Sequence, residues 1–93
     1  MSSSSPTAER SVNWSPTAKR SLQRLPESVA TAVIEFAYGS LRHDPARIGK
    51  PLQGELLGLW AARRGDYRVI YRFSEVSLDI AVIAHRRDAY RTR

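Results

Sequence analysis

The sequence predicts an α+β fold in the order β-α-α-β-β-β, with an αα-hairpin packed on one face of a small antiparallel meander sheet. Three observations carry this. Pro26 divides two helix-patterned segments, residues 67–73 alternate apolar and basic side chains, and residues 78–84 form an almost unbroken apolar run. The 93 residues suffice for one domain with a modest core.

The elements follow in chain order. Residues 1–10 begin with a serine run and offer nothing to bury, which predicts a disordered tail before a domain over residues 11–93. Ser11-Val12-Asn13-Trp14 alternates as an edge strand does. Ser15-Pro16 is an N-cap followed by a first helical residue. The helix runs through Ala18, Leu22 and Leu25 until Pro26 stops it. Glu27 opens a second helix whose apolar stripe is Val29, Val33, Phe36 and Ala37, with Gly39 as its expected C-cap. That stripe is expected to bury Val29, Val33 and Phe36 against Val69 and Tyr71. Proline and glycine punctuation makes residues 43–54 a loop.

The remainder has β-pattern. A strand over 57–63 meets a turn at Arg64-Gly65-Asp66. The next strand places Tyr67, Val69, Tyr71 and Phe73 on one face and Arg68, Ile70 and Arg72 on the other. Residues 74–77 turn the chain, and the run 78–84 is patterned as a central strand with both faces covered. The helix pair takes one face of the sheet and leaves the other open.

Charge gives the first functional clue. Formal net charge is +6 and the isoelectric point is about 10.5. Of the 15 basic residues only Lys19 and Lys50 are lysines, and arginine's planar fork of donors suits phosphate. From Leu59 onward eight arginines stand against four acids, Asp66, Glu75, Asp79 and Asp88. A polyanion is the partner such a balance fits.

Several classes are excluded. With no cysteine there is no disulfide framework or thiolate metal site. His43 and His85 are far apart with no third ligand, so no metal is expected. There is no Gly-rich phosphate loop and no serine triad, and no cofactor is expected. No apolar run has the length of a membrane span and the first residues lack a signal-peptide pattern, so the expected location is cytoplasmic.

What remains is an arginine cluster set out by the strands. Arg68 and Arg72 share a face. Arg63 and Arg64 precede the turn into that strand, and Arg86, Arg87 and Arg91 follow the last strand. A meander should bring these ends together as a shallow basic surface, with His85 and Tyr90 nearby and Lys50 contributing from the loop.

The run Leu59-Trp60-Ala61-Ala62-Arg63-Arg64-Gly65-Asp66-Tyr67-Arg68-Val69-Ile70-Tyr71 resembles the central motif of the RelE/ParE toxin superfamily, and Ile83-Ala84-His85-Arg86-Arg87-Asp88-Ala89-Tyr90-Arg91 resembles its basic C-terminal motif. Leu22-Gln23-Arg24-Leu25-Pro26 and Lys50-Pro51-Leu52 fit the same pattern, so the resemblance spans residues 12–91. It implies a RelE-like fold and the toxin of a type II toxin–antitoxin pair. The implied toxin is an mRNA interferase that enters the ribosomal A site and cuts mRNA without a metal. In that reaction a 2′-hydroxyl attacks the adjacent phosphate. The resemblance gives Arg68 and Arg87 to the phosphate and Tyr90 to a base. Its implied partners are mRNA, the ribosome and a cognate acidic antitoxin, which would carry operator-DNA binding for the hetero-oligomer.

One departure stands out. Some members carry lysines in the first meander strand, and this chain has none around Leu59 and Ala61. Arginine is a poor base, which leaves His85 as the nearby residue of a proton-exchanging type. Two other readings stand beside the endonuclease. One is a ParE-like inhibitor of DNA gyrase on the same fold, and the other a non-catalytic basic RNA-binding module.

Overall fold

The computed structural model describes residues 10–85. The expected tail over 1–9 lies outside the described residues, as does the C-terminal segment 86–93 with Arg86, Arg87, Tyr90 and Arg91. Arg10, grouped with the tail by sequence, is held in place. Its Nε donates to the Ser74 carbonyl at 2.6 Å and its Nη1 to the Arg42 carbonyl at 3.0 Å, and its guanidinium sits 5.6 Å from the Phe73 ring centre.

Strand β1 (Ser11–Trp14) leads into helix α1 (Pro16–Arg24) through Ser15, whose Oγ accepts from the Ala18 N–H at 2.9 Å. This satisfies one of the donors a helix start leaves without a partner. Leu25 is extended (φ −80°, ψ 150°), as a residue before proline is driven to be. Helix α2 (Glu27–Phe36) then begins directly after Pro26.

Gly39 does not cap α2. The helix widens into a π-helical segment, Ala37–Leu41. Ala37 and Leu41 are both fully buried, and stopping at Gly39 would leave Leu41 outside the core. Burying a leucine stabilises by about 1.5–3 kcal/mol, which outweighs an ideal cap. The His43 ring, through Nδ1, bonds the Gly39 carbonyl at 2.7 Å.

The expected loop over 43–54 carries structure of its own. A short helix α3 (Pro45–Ile48) precedes a two-residue strand β2 (Lys50–Pro51), and a 3-10 turn follows at Gly54–Leu56. The meander is β3 (Trp60–Arg64), β4 (Tyr67–Phe73) and β5 (Ser77–His85). Strand β3 starts at Trp60 rather than at residue 57, because Gly58 takes a positive φ of 99° that breaks an extended run.

Among the described residues five strands form one sheet in the order β1-β5-β4-β3-β2. Strand β1 is an edge, paired parallel to β5, and the other pairings are antiparallel. The core lies between helices and sheet. Ala18, Val33, Ala37 and Leu41 meet Ala62, Val69, Tyr71, Leu78, Ile80 and Ile83. Of the expected stripe Val33 is fully buried, while Val29 and Phe36 are half-buried against the cluster. Strand β5 is central, but only one of its faces is covered. Leu78, Ile80 and Ile83 are buried and the residues between them are half-buried, and no layer of the described residues lies over the other side.

Strand β5 contains a bulge. Tyr71 pairs with Ile80 and Ile70 with Val82, which leaves Ala81 as an extra residue. Ser15 secures it, donating from Oγ to the Ala81 carbonyl at 2.5 Å while its own N–H bonds the Ile80 carbonyl at 3.0 Å. No helix of the described residues is long and apolar enough to cross a membrane.

Candidate nucleic-acid interface

The β3–β4 hairpin sets the site. Its turn holds two residues, Gly65 and Asp66, with Gly65 at φ 64°, the left-handed region that two-residue hairpins require. So tight a turn fixes register: Arg64 stands opposite Tyr67 and Arg63 opposite Arg68. Paired residues of an antiparallel ladder project to the same face. Arg63 and Arg68 therefore project together from the uncovered face.

Two like charges directly opposed on a sheet are destabilising, by a few tenths to about 1 kcal/mol. An anion between them would reverse the sign of that interaction, so the arrangement is chemically suited to a phosphate. Arg68 is half-buried and Arg63 exposed, so the pair is partly desolvated from one side.

Strand β2 adds a third cation. Lys50 pairs with Ala61, two residues before Arg63 on the same face. Lys50, Arg63 and Arg68, with Ile48, Leu52 and Ala61, line a pocket of about 420 Å³. Strand β2 thus brings an ammonium group to the face on which β3 itself carries no lysine. Arg72 lies farther along the same face, opposite Asp79.

Two expected members fall elsewhere. Arg64 projects to the helix side, its guanidinium 6.0 Å from the centre of the Phe36 ring. His85 also projects to the helix side. The Ala81 bulge reverses the alternation of β5, so His85 pairs with Tyr67 and packs edge-on to it, ring centres 5.1 Å apart. The expectation that His85 shares a surface with Arg68 is corrected by that one inserted residue. Arg86, Arg87, Tyr90 and Arg91 lie outside the described residues. Among the described residues no three His, Cys, Asp or Glu side chains gather as a metal site.

Two features were missed from sequence. The Tyr71 hydroxyl, fully buried, donates to the Pro45 carbonyl at 2.6 Å and moors the α3 loop beside Lys50. Burial pushes its pKa up to about 12, against the smaller opposing effect of a bond from the Gly49 backbone. The second is Asn13, whose Nδ2 donates to Asp79 Oδ1 at 2.8 Å. An acid inside the apolar run 78–84 was the available signal, since such a residue marks an uncovered position.

The profile of the ParE toxin family of type II toxin–antitoxin systems (parDE) matches residues 12–90. Toxin RelE of Mycobacterium tuberculosis (strain ATCC 25618 / H37Rv) is 51% identical over 77 residues, 81% of this chain and 79% of the relative. Toxin RelG of the same strain is 44% identical over 82 residues, 86% of this chain and 94% of the relative. Among solved structures, the toxin–antitoxin complex RelBE2 of Mycobacterium tuberculosis contains a chain that superposes with a TM-score of 0.79 at 42% identity, covering 83% of this chain and 98% of that one.

Proposed function

The chain belongs to the ParE toxin family of type II toxin–antitoxin systems, and from that premise we propose that it is a ribosome-dependent endoribonuclease of the RelE kind. Its substrate is mRNA in the A site, and its effect is to inhibit translation. The observation that carries this reading is the Arg63–Arg68 pair on the uncovered face, with Lys50 in the same pocket.

The chemistry needs little more than fixed charge. The 2′-oxygen of one nucleotide forms a bond to the adjacent phosphorus, and the bond to the 5′-oxygen of the next nucleotide breaks. The products are a 2′,3′-cyclic phosphate and a 5′-hydroxyl, and the proton lost by the 2′-hydroxyl is balanced by the one the leaving oxygen gains. Negative charge grows on the non-bridging oxygens in between. Arg68 and Arg63 meet that charge from a preorganised position, where a fixed donor acts most strongly. Lys50 supplies a third cation at the pocket wall. By resemblance Arg87 is a second phosphate ligand and Tyr90 stacks on a base, with Arg86 and Arg91 adding phosphate contacts. No metal or other cofactor takes part.

The partner is an acidic antitoxin segment that covers the basic surface and folds as it binds. That the RelBE2 structure is a toxin–antitoxin complex supports an antitoxin as partner. The antitoxin would bring operator-DNA binding to the complex, and the location is the cytoplasm.

Brief induction of the chain followed by mapping of cellular mRNA 5′ ends tests the activity. Codon-phased cuts with 5′-hydroxyl ends are expected. Intact mRNA with broken DNA would replace this reading with inhibition of DNA gyrase.

A further inference from the structure

Asp79 is the one acidic residue among the residues of the five strands. Its position on the uncovered face is fixed by register: Arg72 opposite it on β4 and Asn13 beside it on β1, three polar side chains level across three strands. The Asn13 amide holds Asp79 Oδ1 at 2.8 Å, which orients the carboxylate. Among the described residues Arg72 makes no ion pair with Asp79, although the two are register partners. These three side chains, with Leu59 as an apolar wall, line a pocket of about 330 Å³. Its far side is the secured bulge, where Ser15 bonds the Ala81 carbonyl. A volume of this order with an apolar wall and a few fixed polar groups is the usual form of a small-ligand site.

On a face whose other charges are cationic, a braced carboxylate repels phosphate and accepts hydrogen bonds. We propose that this pocket receives one unpaired guanine of the RNA and that Asp79 reads it. Guanine presents two adjacent donors, N1–H and the N2 amino group, to the carboxylate oxygens. Adenine presents the N1 acceptor at the same place, and cytosine presents N3. Leu59 supports the flat of the base, and Arg72 engages the phosphate of the same nucleotide. Arg68 and Arg72 are four residues apart on β4, about 13 Å of strand. The base that is read therefore belongs to a nucleotide at a fixed offset from the cleaved bond. The assignment rests on the reading of the uncovered face as an RNA surface, and it makes Asn13 a positioning residue.

The test uses the full chain and 2′-O-methyl RNA trinucleotides carrying guanine, inosine or adenine at each position in turn, with affinity read by fluorescence anisotropy. Guanine at one position should bind about tenfold or more tightly than adenine, with inosine, which lacks the N2 amino group, in between. Asp79→Ala should level the three while folding normally by circular dichroism, and Asn13→Ala should weaken the preference in part. The guanine–inosine comparison needs no variant and so stands even if Asp79→Ala fails to fold. Equal affinities in the wild type, no binding of any probe, or a preference that survives in folded Asp79→Ala overturns the assignment. The probes lack the attacking hydroxyl, so a chain that binds guanine selectively but never cuts mRNA overturns the endonuclease and leaves the pocket standing.

Discussion

Arg63 and Arg68 stand directly opposite one another across β3 and β4, both projecting from the face that no helix of the described residues covers. A sheet stabilised for its own sake would place opposite charges there. Arg63→Ala should therefore leave the protein as stable as the wild type or more stable, by up to about 1 kcal/mol in chemical denaturation. A loss of more than that would show that the pair contributes to the fold.

Activity should move the other way. Arg68→Ala is expected to lower mRNA cleavage by on the order of 10²–10³, the usual cost of removing one donor aimed at developing charge. Growth arrest on induction should be relieved. Full cleavage by a folded variant would take Arg68 off the phosphate.

Salt should expose the same surface. Each phosphate contact on single-stranded RNA contributes about −0.7 to the slope of log affinity against log salt. Arg63→Ala and Lys50→Ala should each flatten the slope by about that amount in RNA-binding titrations. Arg64→Ala, on the helix side, should change it less. Equal effects from all three would mean that RNA wraps the hairpin tip instead of lying on one face.

His85 is placed against Tyr67, on the side of the sheet away from Arg68. His85→Phe preserves an aromatic edge against Tyr67 while removing every exchangeable ring proton. Cleavage by this variant should stay near wild-type, whereas a general acid or base would lose about 10²–10⁴. A loss of that size would bring the ring back to the reacting phosphate.

Tyr71 makes stability fall in alkali. Its phenol ionises near 10.0 in the unfolded chain and at about 12 in the fold. Between those values the unfolded chain binds fewer protons, so stability fully present below pH 10 is lost as pH rises to 12. The loss amounts to roughly 2–3 kcal/mol. Tyr71→Phe should be less stable at neutral pH by about 1 kcal/mol, the worth of a buried hydrogen bond, and should show a shallower alkaline decline. Gly49→Ala should be harmful as well, because a Cβ there collides with the Tyr71 hydroxyl.

Much of this was legible in the residues. Ser15-Pro16, Pro26 and the alternation of 67–73 are local signals, and the structure places α1, α2 and β4 where they indicate. Arg63, Arg68 and Lys50 meet because a two-residue turn and a two-residue strand set their register. The turn could be read from Gly65-Asp66. The pairing of Lys50 with Ala61 could not, since proline and glycine punctuation reads as loop there and the Tyr71–Pro45 hydrogen bond beside it spans 26 positions. The sequence pattern starts β3 too early because Leu57 and Leu59 look like strand residues, while the positive φ of Gly58 between them leaves no trace in an apolar pattern.

The Ala81 bulge makes the chain's last described strand a counting device. Up to Ile80, even-numbered side chains of β5 enter the core; beyond Ala81 the odd-numbered ones do. Deleting one residue at this point while keeping the sheet paired would restore simple alternation, exchanging Val82 and Ala84 with Ile83 and His85 between the two faces. Single-residue insertions and deletions here are therefore not neutral drift in loop length. They invert what the end of β5 presents to solvent, and Ser15, which holds the inserted carbonyl from another strand's end, ties that parity to the start of α1.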